Sequence, residues 1–117
     1  MKLLIALAVA MTATAVQAAP SGEDIFKQRC AVCHAVQPGP GKMGPPMAGL
    51  AGRKAGAVPG FAYSTALKNS KLAWTPTTLD TFLAAPGKMV PGTKMLIGVP
   101  DAQQRAVLVQ YLGTLKK

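Results

Sequence analysis

The chain has 117 residues, 13 Lys or Arg against 4 Asp or Glu, two Cys and one His. That length is one small domain, and two Cys with one His cannot make a four-ligand zinc site without carboxylates. The basic residues come in ones and twos, as at Arg53-Lys54 and Lys116-Lys117, with no basic arm for nucleic acid; acidic proteins suit this charge better.

Lys2 precedes the unbroken apolar run Leu3–Ala10, and Val16-Gln17-Ala18 offers small residues where a signal peptidase inspects the chain. The apolar stretch is about 14 residues, short of the roughly 18 a membrane span requires. The expectation is a cleavable secretory signal over 1–18 and an exported mature domain over 19–117. Removal of Lys2 leaves 12 basic residues against 4 acidic ones, a formal +8.

Ser21 is placed to cap a first helix, with Glu23 and Asp24 where the helix dipole favours acids. That helix carries Ile25, Phe26 and Cys30 and should run into Cys30–His34. From Pro38 to Pro59 no period is sustained, and frequent Gly and Pro predict a structured loop. A short helix is expected over Ala62–Asn69, and another from Thr75-Pro76, with Leu79, Phe82 and Leu83 inward and Pro86-Gly87 as its stop. The last helix begins near Asp101; Leu108, Tyr111, Leu112 and Leu115 form its apolar stripe. No segment alternates like a strand, so the fold class is all-α. A domain this small, with few aromatics and long loops, calls for a staple or a cofactor.

Cys30-Ala31-Val32-Cys33-His34 supplies one. Two intervening residues set both thiols on one face of a turn, where they reach the two vinyl groups of a haem, and the adjacent His can turn its imidazole to the iron. The pattern is a haem attachment signature. A disulfide closing so short a loop would constrain little of the chain, and a thioredoxin-like dithiol would need a βαβ context that is missing here. His34 is the single histidine, so no second His can ligate the iron. A thioether is the expected sixth ligand of an electron-transfer haem. Met43, Met47, Met89 and Met95 are the candidates in the mature chain, and spacing favours the later two.

Beyond that motif, Gly49-Leu50-Ala51-Gly52-Arg53-Lys54, Pro59-Gly60-Phe61-Ala62-Tyr63, Trp74 and Pro91-Gly92-Thr93-Lys94-Met95 resemble a class I cytochrome c of the mitochondrial and soluble bacterial kind, from Gly22 to Leu115. The resemblance implies three to five short helices and long loops wrapped around one haem. It implies Met95 as the axial methionine and Pro45 as the carbonyl that accepts from the proximal His. It further implies that Arg53, Tyr63 and Trp74 hold a buried propionate, and that Gly22 and Phe26 cross the last helix near Leu108 and Tyr111. Phe82, Leu67 and Ile97 depart from the family pattern, where Tyr, Asn and Phe stand; fewer polar groups near iron should disfavour the ferric state.

The function these features lead us to expect is a diffusible one-electron carrier in a bacterial periplasm, with no enzyme activity of its own. Arg29, Lys42, Lys88 and Lys94 would steer acidic oxidases, reductases or dehydrogenases to an exposed haem edge; no nucleic acid and no membrane span in the mature chain are expected, and a monomer is the default. The rivals are a haem subunit dedicated to one periplasmic dehydrogenase, and a peroxidase or gas-binding protein. The last would need an open iron, and the chain offers only Glu23, Asp24, Asp80 and Asp101 for acid–base work.

Overall fold

A computed structural model describes residue 1 and residues 3–117; Lys2, the charge ahead of the apolar run, lies outside the described residues. Residues 3–20 carry no helix or strand and are exposed. Helix α1, Gly22–Ile25, starts on a reciprocal cap. Ser21 Oγ accepts from the Asp24 N–H at 3.1 Å, and Asp24 Oδ2 accepts from the Ser21 N–H at 3.0 Å. The helix then widens through Phe26–Cys30, where the Ala31 N–H reaches back five residues to Phe26 O at 2.9 Å.

Helix α2, Thr65–Asn69, begins later than the predicted Ala62, because the Ser64 hydroxyl accepts from the Leu67 N–H and sets the cap there. Helix α3, Pro76–Ala84, begins at Thr75-Pro76 as predicted. Pro86 does follow its end, yet Pro86 also opens another turn, α4, Pro86–Met89. A proline is tolerated at the first helical position, where its missing N–H costs nothing. Helix α5, Ala102–Gly113, is capped by Asp101, whose Oδ1 accepts from the Gln104 N–H at 2.8 Å. Among the described residues there is no strand, only an isolated antiparallel bridge between Lys54 and Ala73. The fold is all-α.

Both α1 and α3 pack on α5. The α1–α5 crossing is close because position 22 has no side chain: a Cβ there would lie 2.6 Å from Tyr111 Cβ and would overlap the Val107 carbonyl oxygen. Phe26 meets Tyr111 at 5.7 Å between ring centroids. Ile25 and Leu108 are fully buried in this seam, a burial worth roughly 1.5–3 kcal/mol each. Leu112 of the predicted stripe is buried and Tyr111 and Leu115 are half-buried; Val109, outside that stripe, is buried as well.

The long loop is ordered by backbone bonds to distant segments. Gly44, Met47 and Ala48 donate to Cys33 O, Ala35 O and Val36 O at 2.8, 2.9 and 2.8 Å, folding the loop back alongside the residues around His34. Gly52 N–H donates to Trp74 O at 2.7 Å, and the Trp74 N–H to Arg53 O at 2.9 Å.

Candidate functional site

The helical turn after Phe26 sets out the attachment residues. Cys33 and His34 both donate their N–H to Cys30 O, at 3.0 and 2.8 Å, so the two cysteines lie one turn apart. Both are half-buried free thiols, and burial pushes the Cys30 thiol above its ordinary value of 9.0, against the opposing charge of Arg29.

His34 is fixed on one edge. Its Nδ1 donates to Pro45 O at 2.8 Å, which leaves Nε2 as the lone-pair nitrogen of a neutral ring. Burial lowers its pKa below 6.5, the Pro45 bond opposes this, and the nearby Arg53 charge adds to the fall. Gly44 lies flat against the imidazole: a Cβ there would be 2.5 Å from Nδ1 and 2.7 Å from Nε2. A neutral, oriented imidazole beside two free thiols is the donor set a covalently attached haem requires, and the residues present fit that group.

The other predicted residues fall into two groups. Arg53 sits under the loop that carries Pro45; Nη2 donates to Pro46 O at 3.0 Å and Nη1 to Ala48 O at 3.3 Å, and burial lowers its pKa from the ordinary guanidinium value while nearby Tyr63 opposes the fall. Backbone bonds hold Trp74 next to Arg53, and its ring packs on Phe82 at 5.1 Å. Tyr63 turns its hydroxyl to the Val58 N–H, 3.0 Å away, and stacks edge-on with Phe61 at 4.8 Å.

The methionines separate by burial. Met43 is exposed and Met47 is part of the core, whereas Met89 and Met95 are half-buried against it. Met95 lies on an irregular strap between α4 and α5. Gly92, in the left-handed region at φ 92°, makes its turn, and buried Thr93 donates its N–H to Val90 O at 3.0 Å. Met89 instead lines a hollow of about 390 Å³ with Ala66, Ser70, Leu72, Val90 and Pro91, none of them a predicted site residue. Of the three departures, Phe82 is buried, Leu67 half-buried and Ile97 67 % exposed.

The four predicted docking cations are all exposed. Two are tethered as well: Lys42 Nζ donates to Ala31 O at 2.9 Å, and Lys94 Nζ to Ala62 O at 3.2 Å. Sequence reasoning missed Gly44 and Arg105. Only the neighbouring Pro45 pointed to the first; the partners of the second lie on two segments, α3 and the end of the strap that precedes α5.

The comparisons with known proteins agree with this geometry. The family model described as cytochrome c matches residues 19–116. The chain is 50 % identical over 93 residues to "Cytochrome c type-1" of Ascaris suum, covering 79 % of this chain and 83 % of that protein. It is 44 % identical over 111 residues to "Cytochrome c2" of Blastochloris viridis, covering 93 % and 87 %. "Cytochrome c-type cyt cy" of Rhodobacter capsulatus is 44 % identical over 100 residues, which span 85 % of this chain but 50 % of that protein. No helix among the described residues is long and apolar enough to cross a membrane. The chain belongs to the cytochrome c family: it is a carrier of electrons rather than an enzyme, with one haem c covalently attached through Cys30 and Cys33.

Proposed function

We propose that this protein shuttles single electrons between acidic redox partners in a bacterial periplasm, with His34 and Met95 as the two axial ligands of its iron. The observation that carries the reading is the His34–Pro45 bond, which spends one ring nitrogen and leaves the other free. Bound haem supplies the Fe(II)/Fe(III) couple. The chain's own part is to keep both ligands in place in both oxidation states, so that little has to move when an electron arrives. His34 is held by Pro45 and Gly44. Met95 contributes a soft thioether that favours the reduced state. Arg53, Tyr63 and Trp74 are the donors for a propionate.

Arg29, Lys42, Lys88 and Lys94 form the docking charges. Arg29 and Lys88, whose side chains make no hydrogen bond or ion pair among the described residues, are freer than the tethered Lys42 and Lys94 to steer an acidic surface. Residues 1–18 act as a secretory signal cut after Ala18, and the exported domain is residues 19–117. N-terminal sequencing of the exported protein tests that boundary directly.

The test of the ligand set is the absorption spectrum of the exported haem protein, oxidised and reduced, with and without carbon monoxide. Wild type is expected to be low-spin in both states and indifferent to carbon monoxide. Met95→Ala is expected to turn high-spin and bind carbon monoxide readily. A wild-type protein that binds carbon monoxide at once has an open iron, and the carrier reading would give way to a gas-binding one.

A further inference from the structure

Arg105 belongs to neither the attachment motif nor the propionate group, yet its guanidinium is among the most engaged polar groups in the chain. Its side chain is 14 % exposed. Nε donates to Asp80 Oδ1 on α3 at 2.9 Å, while Nη1 donates to two successive carbonyls, Val99 O at 3.1 Å and Pro100 O at 2.8 Å. Those carbonyls end the strap that carries Met95. The same point is tied a second time, by the Val99 N–H to Leu83 O at 2.7 Å. Beside it a Cβ at Gly98 would be 2.5 Å from Leu83 O, so the strap lies flat on the end of α3 there.

We infer that Arg105 is a positioning residue for the sixth iron ligand: by locking the strap at Val99–Pro100 onto α3 and α5, it keeps the Met95 thioether from swinging away. The inference rests on Met95 being that ligand. Val99 is four residue steps beyond Met95, which limits the slack to about 14 Å of fully extended chain. A fixed end so near restricts the thioether more than the exposed Lys94–Ala62 bond at the upstream side, which competes with water. A planar fork suits this role, because one rigid group serves a carboxylate and two carbonyls at once. Lysine would offer a point charge on a flexible stem, without the planar fork.

An external ligand such as imidazole can take the sixth position only while the strap is open, so its apparent affinity reports the open fraction. The test is imidazole titration of the ferric haem protein, followed through the weak far-red absorption of a thioether bound to ferric iron, alongside denaturant unfolding of each variant. Arg105→Met and Arg105→Lys are both measured; the second retains the charge and serves if the first fails to fold. Val109→Ala trims a buried α5 residue whose side chain has no donor for the strap carbonyls, and it reports what general destabilisation alone does. Imidazole affinity should rise roughly tenfold or more in both Arg105 variants, tenfold being about 1.4 kcal/mol of strap opening. It should stay at the wild-type value in Val109→Ala, even though that variant unfolds at lower denaturant. Unchanged affinity in the Arg105 variants, or an equal rise in Val109→Ala, would overturn the inference and leave Met95 as ligand intact. A wild-type protein without the thioether absorption would remove the Met95 reading and this inference together.

Discussion

Gly44 and His34 are in close contact: any side chain at position 44 would strike the imidazole, with a Cβ falling 2.5 Å from Nδ1. Gly44 also donates its N–H to Cys33 O at 2.8 Å, so the loop cannot retreat without losing a bond next to the attachment residues. Gly44→Ala is therefore expected to cost about 1–3 kcal/mol, the usual price of overpacking a closed contact. The haem protein should unfold at lower denaturant, and the proton resonances of the His34 ring in the ferric form should shift as the ring tilts. A variant with wild-type resonances and wild-type midpoint would mean that the glycine does not set the ring.

A second glycine presents two opposing effects of known size. Gly22 is in the first turn of α1, where alanine would ordinarily gain up to about 1 kcal/mol of helix propensity. Here the added methyl would overlap the Val107 carbonyl and lie 2.6 Å from Tyr111 Cβ. Neither neighbour is the far end of a flexible side chain, so helix α1 has to move away from α5. Overpacking of about 1–3 kcal/mol outweighs the propensity gain. Gly22→Ala should lower the denaturant midpoint without moving the visible spectrum of the native protein.

The parts of this fold that were legible in the sequence are those governed by local rules. The Ser21, Thr75 and Asp101 caps, the Leu108–Leu112 core face and the Cys30–His34 turn each depend on residues within a few positions of one another. Pro86 shows where such rules reach their limit. The break is carried by Ala85, at φ −158° and ψ 84°, and the proline then starts α4; sequence alone offered no reason to prefer restart over stop. The less legible features are contacts made at long range. Arg105 reads as one more surface cation until Asp80, Val99 and Pro100 are brought to it, and Lys42 and Lys94 read as free charges until their carbonyls are seen. No periodicity encodes a backbone carbonyl that arrives from another loop.

The cap on α1 makes stability depend on acid. The Ser21 backbone N–H, then its hydroxyl, holds the Asp24 carboxyl below its ordinary 3.8. A carboxylate with a depressed folded-state pKa contributes stability that is complete above the unfolded value and is lost as pH falls through the folded one. The cap should therefore weaken progressively as the pH drops below about 3.8. Asp24→Asn removes that titration while keeping an acceptor, so its denaturant midpoint should fall less steeply with acid than wild type does. Parallel acid limbs would show that another group governs the decline.

Docking through surface charge makes the last prediction, and Lys88 is the cleanest place to examine it. Lys94 holds Ala62 O, so reversing its charge also releases a contact near Met95; Lys88 is exposed, and among the described residues its ammonium group makes no hydrogen bond or ion pair. Lys88→Glu should slow electron transfer with an acidic oxidase or reductase by roughly tenfold or more at low salt, because steering of encounter is a rate effect. At physiological ionic strength the screening length is about 8 Å, and higher salt should bring the two proteins toward a common rate. Lys94→Glu should show the same salt-dependent loss, with Lys94→Gln separating the effect of the lost tether from that of the reversed charge. If Lys88→Glu slowed the reaction equally at low and high salt, the change would lie in the fold or the redox couple. The charge would then have no part in bringing the partners together.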